Sequence, residues 1–163
     1  MSTRNKTIAD IGIFKEKIHT ALYKNTEIRE LLLGDTSEMS QAEIMKEFKD
    51  HVKSHLFIDD TIEEVGSYIF YDVSLPFVHP ETKTCQVTMY IVVHRAILED
   101  YSKDGYHGNR ADILAQMVEN TLMADDKTSR SFGIGPLSLY SLYPYNSRRL
   151  YGVQMTIEVP NFR

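Results

Sequence analysis

The chain has 163 residues, 42% of them hydrophobic and 25% charged, a balance that fits a folded domain and excludes a disordered one. Its 18 Lys and Arg against 23 Asp and Glu give a net charge of −5, which argues against gripping nucleic acid through overall charge and leaves only a local basic patch. The single cysteine, Cys85, excludes an intrachain disulfide and a cysteine-rich zinc cluster. The opening MSTRNKTIAD carries no apolar export signal, and runs such as Ile91-Val92-Val93 are too short to cross a bilayer. The cytoplasm is the expected site of synthesis and folding.

In chain order, residues 8–24 predict a helix, with Ile11, Phe14, Ile18, Ala21 and Leu22 on one stripe. Asn25 and Thr26 break it. Residues 27–33 give a short second helix that Gly34 ends as a C-cap, and 35–39 form a loop. Ser40 and Glu43 make a capping-box pair that opens a third helix to about Val52. The period then changes to two. Residues 67–78 and 84–95 alternate as strands around a polar turn at 80–83, with Ile69, Tyr71 and Val73, then Cys85, Val87, Met89 and Ile91, on one face.

A polar loop follows at 98–108. Asn109 caps the strongest helix, 110–124, which buries Ile113, Leu114, Met117, Val118, Thr121 and Leu122 and exposes Asp112, Gln116 and Glu119. After a loop at 125–132, residues 137–143 lead through Pro144-Tyr145-Asn146-Ser147 into a strand at 150–159. The order of helices, hairpin, helix and hairpin predicts one α+β domain: an antiparallel sheet of about four strands with helices on one face. Residues 1–60 form a mainly helical front to a core at 61–163.

Several residues could carry chemistry. His51 and His55 stand four apart at a helix end, a spacing that puts both imidazoles on one face and suits a metal with Asp59 or Asp60 as third ligand. The plainer reading is two solvated histidines favoured by the helix dipole. Asp59-Asp60 with Glu63-Glu64 reads as a solvated acidic stretch, because acid/base work needs one carboxyl shifted by burial or a partner. Cys85 falls on the buried face, where thiols are inert. Gly133-Ile134-Gly135-Pro136 fits a bend, since no strand precedes it and Pro136 lacks a backbone donor for phosphate.

Arg148-Arg149 with Tyr143, Tyr145 and Tyr151 is the basic and aromatic cluster. It suits a surface for another protein chain, or one for nucleic acid. The 98–108 loop, with Tyr101, Tyr106 and His107, is the second exposed candidate. No catalytic set, cofactor site or metal site emerges, so the chain reads as a contact module and not an enzyme. Two other readings remain open: a small metal-dependent hydrolase built on His51 and His55, and a cytoplasmic adaptor that binds through the tyrosine–arginine hairpin.

Several phrases resemble a known family. They are Glu27-Ile28-Arg29-Glu30-Leu31-Leu32, the strand ending Leu75-Pro76-Phe77, the strand at 86–95, Gly108-Asn109-Arg110-Ala111-Asp112-Ile113-Leu114, and Leu150-Tyr151-Gly152-Val153-Gln154-Met155-Thr156-Ile157. Together they are similar to the tail terminator (tail completion, head–tail joining) proteins of long-tailed bacteriophages and prophage tail-like particles. The resemblance implies a homo-oligomeric ring, typically of about six copies, that caps the tail tube at the tail–head junction of the virion. Its partners would be the tail tube protein and the head connector or neck proteins, with DNA passing through without sequence-specific binding. The extra helix at 35–60 departs from the shorter members of that family and leaves room for a neighbouring neck or sheath-associated role.

Overall fold

Phe14, Ile18 and Leu22 recur once per helical turn, and all three are buried. The computed structural model of the chain describes residues 7–56, 64–78, 83–123 and 137–159, beginning with the helix α1, Thr7–Lys24. Asn25 ends α1 and caps the next helix, α2, Thr26–Leu33. Its side-chain oxygen accepts the backbone N–H groups of Glu27 and Ile28 at 2.9 and 3.1 Å, which have no partner inside the helix. Gly34 closes α2 at φ +72°, donating its N–H to the Glu30 carbonyl. Ser40 caps α3, Gln41–His51, by accepting from the Glu43 N–H, which is one half of the expected capping box. The helix stops at His51 because Val52 is already extended, and Val52–Lys53 forms the short strand β1.

Four longer strands follow: β2, Ser67–Val78; β3, Lys83–His94; β4, Ser138–Asn146; and β5, Leu150–Val159. The sheet order is β1-β2-β3-β5-β4, with β1 parallel to β2 and every other pair antiparallel. The α+β layering agrees with the sequence, but the sheet has five strands among the described residues where about four were expected. The added strand is two residues long, too short for alternation to reveal. A second difference lies in the last hairpin. Pro144, Tyr145 and Asn146, expected as the turn, belong to β4, and an edge strand tolerates a proline because one row of its backbone groups needs no partner. Of the other expected connections, 80–82, 125–132 and 133–136 lie outside the described residues.

One face of the sheet carries Ile69, Tyr71 and Val73, then Cys85, Val87, Met89 and Ile91, then Met155, Ile157 and Val159. These form a single buried cluster with the helices. The buried Tyr71 hydroxyl donates to the Lys15 carbonyl at 2.8 Å, joining sheet to α1. The other face holds a smaller cluster of Tyr68, Phe70, Val92 and Leu150, flanked by Tyr90 and Tyr145. Gly152 pairs with Val92 where β5 meets β3, and a Cβ there would overlap the Ile91 carbonyl. Only glycine allows that approach.

The last helix, α4, Arg110–Leu122, opens on a complete capping box between Asn109 and Asp112. Asp112, assigned to the solvent face by periodicity, is therefore a partly buried structural acceptor. Gly108 before it sits at φ +102°, and a Cβ there would crowd the Asp112 carboxylate. The helix ends at Leu122, with Met123 as C-cap, slightly short of the expected end. Its first residue, Arg110, ties three elements together. Nε donates to Ser67 Oγ at 2.8 Å, a terminal nitrogen donates to the Leu31 carbonyl at 2.7 Å, and the guanidinium lies 5.1 Å from the Tyr101 ring centre.

These contacts give three expected outcomes. Arg110→Met, which keeps the stem and removes the donors, lowers the free energy of urea unfolding by about 3 kcal/mol; an unchanged midpoint would show that the contacts are idle. Gly152→Ala yields protein without a cooperative unfolding transition. Burial, reinforced by the Lys49 charge, holds His19 below its ordinary 6.5. The unfolded chain therefore takes up a proton first, so stability falls as pH drops below about 6.5, and His19→Gln flattens that part of the melting-temperature profile.

Candidate interface site

The two histidines of the alternative metal reading do not share a helix face. Because α3 ends at His51, the four-residue spacing to His55 is no longer helical. The His51 ring stacks on Tyr68 with centres 5.0 Å apart, and its Nδ1 lies 2.8 Å from the Ser67 carbonyl, to which it donates. His55 is exposed. Among the described residues no three His, Cys, Asp or Glu side chains converge as a metal group; Asp59, Asp60 and Glu63 lie outside those residues, and Glu64 is exposed. Cys85 is buried as the alternation predicts, and burial pushes its thiol up to about 12. At neutral pH it carries no thiolate with which to attack.

The loop after β3 is not the free surface that its polarity suggested. Tyr101 and Tyr106 turn inward and pack against the main cluster, and Tyr101 lies under Arg110. Lys103 reaches Glu27 and Glu30 on α2, at 4.0 and 3.7 Å. Gln116, expected on the solvent face of α4, holds the far end: its amide donates to the His107 carbonyl at 2.5 Å and accepts the His107 N–H at 3.2 Å. His107 itself stays exposed. Two aromatic rings within reach of an apolar helix pair outweigh the loop's polar composition.

The β4–β5 end is exposed but anchored. Arg95, directly after β3, donates to the Ser147 carbonyl from Nε at 3.0 Å and from a terminal nitrogen at 2.9 Å, and also to Asn146 Oδ1. Its backbone N–H reaches the Arg149 carbonyl at 2.8 Å, and its guanidinium lies 5.9 Å from the Tyr151 ring centre. Tyr145 meets Tyr90 edge-on at 5.5 Å. Tyr145, Arg149 and Tyr151 are consequently half-buried, while Tyr143 and Arg148 remain exposed. Arg95 was not singled out from the sequence, because its partners lie some fifty residues away and no local spacing announces them.

The larger accessible feature is β4 itself. Among the described residues only β5 pairs with it, and the buried cluster that the helices form on the sheet includes no β4 residue. Tyr140, Leu142 and Tyr143 are 67%, 53% and 61% exposed, and Leu139 is exposed as well. A long, apolar, unpaired edge is a template for another chain unless something covers it. The sequence reading made residues 137–143 one arm of a hairpin; strand order, which no local pattern encodes, places that arm outermost.

Two measurements check this geometry. Cys85 should resist alkylation in native protein and react only on unfolding; rapid native labelling would contradict its burial. Arg95→Ala should speed amide exchange at residues 146–150 by about tenfold without shifting global unfolding, since a hydrogen-bonded charge is worth about 1.5–3 kcal/mol locally.

No helix among the described residues is long and apolar enough to cross a membrane. A search of curated proteins finds no match to the chain. The family model described as YomW matches residues 16–159, a span that runs from α1 to the end of β5 and takes in both the anchored hairpin and the open edge. The chain thus belongs to the YomW family, a phage-derived family.

Proposed function

We propose that this protein is a structural component of a phage particle that caps the tail tube and joins tail to head as a ring of copies, typically about six. The observation that carries the reading is the open, apolar β4 edge beside an anchored tyrosine–arginine hairpin end. Such an edge suits permanent contact with another chain better than free solution. The phage-derived family supports the setting, and the phrases similar to tail terminators support the finer role.

A closed ring uses a heterologous contact, in which one patch meets a different patch on the next copy. In this reading β4, with Tyr143 and Arg148 at its end, supplies one patch and a different surface of the next copy supplies the other. Tail tube protein and head connector or neck proteins bind the two rims. DNA passes through the lumen without base readout, which agrees with the net charge of −5. The work is mechanical and needs no cofactor and no catalysis. The protein acts at the tail–head junction of the virion after assembly in the host cytoplasm.

Deleting the gene from its prophage and imaging the induced particles by electron microscopy tests the role. Tails of irregular length without heads are expected; tails of normal length joined to heads would overturn it. Leu142→Lys, at an exposed edge position, should leave the melting temperature unchanged yet lower complementation by about tenfold or more, because a charge at an edge blocks strand pairing.

A further inference from the structure

A cleft of about 750 Å³ lies between α1 and the junction of α3 with β1. It has the size of a small-molecule site. Three lysines line it, Lys15, Lys49 and Lys53, together with His19 and His55. Among the described residues the facing acids are few. Asp72 on β2 pairs with Lys15 at 2.8 Å, and Glu16 is the remaining carboxylate on the wall. Among the described residues Lys49 and Lys53 make no ion pair. A chain with a net charge of −5 thus gathers positive charge in one of its hollows.

Gly12 points independently to an occupant. It sits inside α1, where glycine weakens a helix relative to alanine. Sterics do not demand it, since a Cβ at Gly12 would meet nothing within 4 Å. Yet Gly12 lines this cleft, and a larger side chain there would project into the open space. The glycine thus leaves open a part of the cleft that a larger side chain would fill.

We infer that this cleft is a binding site for a small, multiply charged phosphate compound, held by Lys49 and Lys53 with access across Gly12. Lysine ammonium groups bind phosphate as point charges with three donors each. The concave shape favours a compact ligand over a long duplex, whose backbone would need a basic track extending beyond the cleft. The site lies on the helical side of the molecule and does not depend on the ring reading.

Titration calorimetry of the full chain with inorganic pyrophosphate tests the assignment, with a short DNA duplex as the second arm. Binding is expected for pyrophosphate, weakened about tenfold or more in the Lys49→Ala/Lys53→Ala double variant. Gly12→Leu should weaken it by a similar factor while holding or raising the melting temperature, an outcome that unfolding cannot mimic. Absence of pyrophosphate binding at millimolar concentration, or unchanged affinity in both variants, overturns the site. So does a duplex that binds more tightly than pyrophosphate and is lost in the same double variant, because the lysines would then serve a backbone and not a compact ligand.

Discussion

Arg110 is held on three sides: by the Ser67 hydroxyl at the start of β2, by the Leu31 carbonyl near the end of α2, and by the face of Tyr101. Each of these would otherwise be a loose end. Ser67 is a buried polar residue, the Leu31 carbonyl lies in the last turn of a helix where backbone acceptors lack intrahelical donors, and Tyr101 belongs to a loop of polar composition. A guanidinium can serve all three together because its donors are fixed in a plane whose faces stay free to stack. The Asn25 side chain does similar work at the other end of α4, capping α2 while donating to Thr121. α4 is thus tied to the sheet and to α2 at its first residue, and to the α1–α2 junction near its end.

The layering was legible because it follows from local periodicity. Phe14, Ile18 and Leu22 recur at helical spacing, Cys85, Val87, Met89 and Ile91 at strand spacing, and both predictions survive in the buried cluster. Capping by Ser40 and Asn109 was legible for the same reason, since each acts on a backbone group three residues away, whereas Asn25, read only as a helix breaker, also caps α2. The features that escaped are set by distance in space. The spatial order of the strands, the inward turn of Tyr101 and Tyr106, the grip of Arg95 on the distant hairpin, and the gathering of Lys49 and Lys53 opposite α1 all join residues far apart in sequence. His51 and His55 show the reverse error. A spacing that means one face on a helix means nothing once the helix stops between them.

The two sides of the molecule carry different kinds of surface. The open edge at β4 is apolar and extended, suited to another chain, and the hairpin end beside it is braced against bending by Arg95. The cleft at α1 is concave and lined by three lysines. The sheet between them holds a buried cluster on each face. Such separation suits the proposed pairing of a chain contact at one surface with a small charged ligand at the other.

Strand order also constrains when the fold can be completed on the ribosome. Among the described residues β5 is the last strand in chain order, yet it lies inside the sheet between β3 and β4. Until it emerges, the flank of β3 that carries Met89 and Ile91 has no hydrogen-bonding neighbour, and the helices above it rest on an incomplete floor. Closure of the sheet therefore waits for β5, and a nascent chain halted before Leu150 presents a sticky strand to its cellular surroundings.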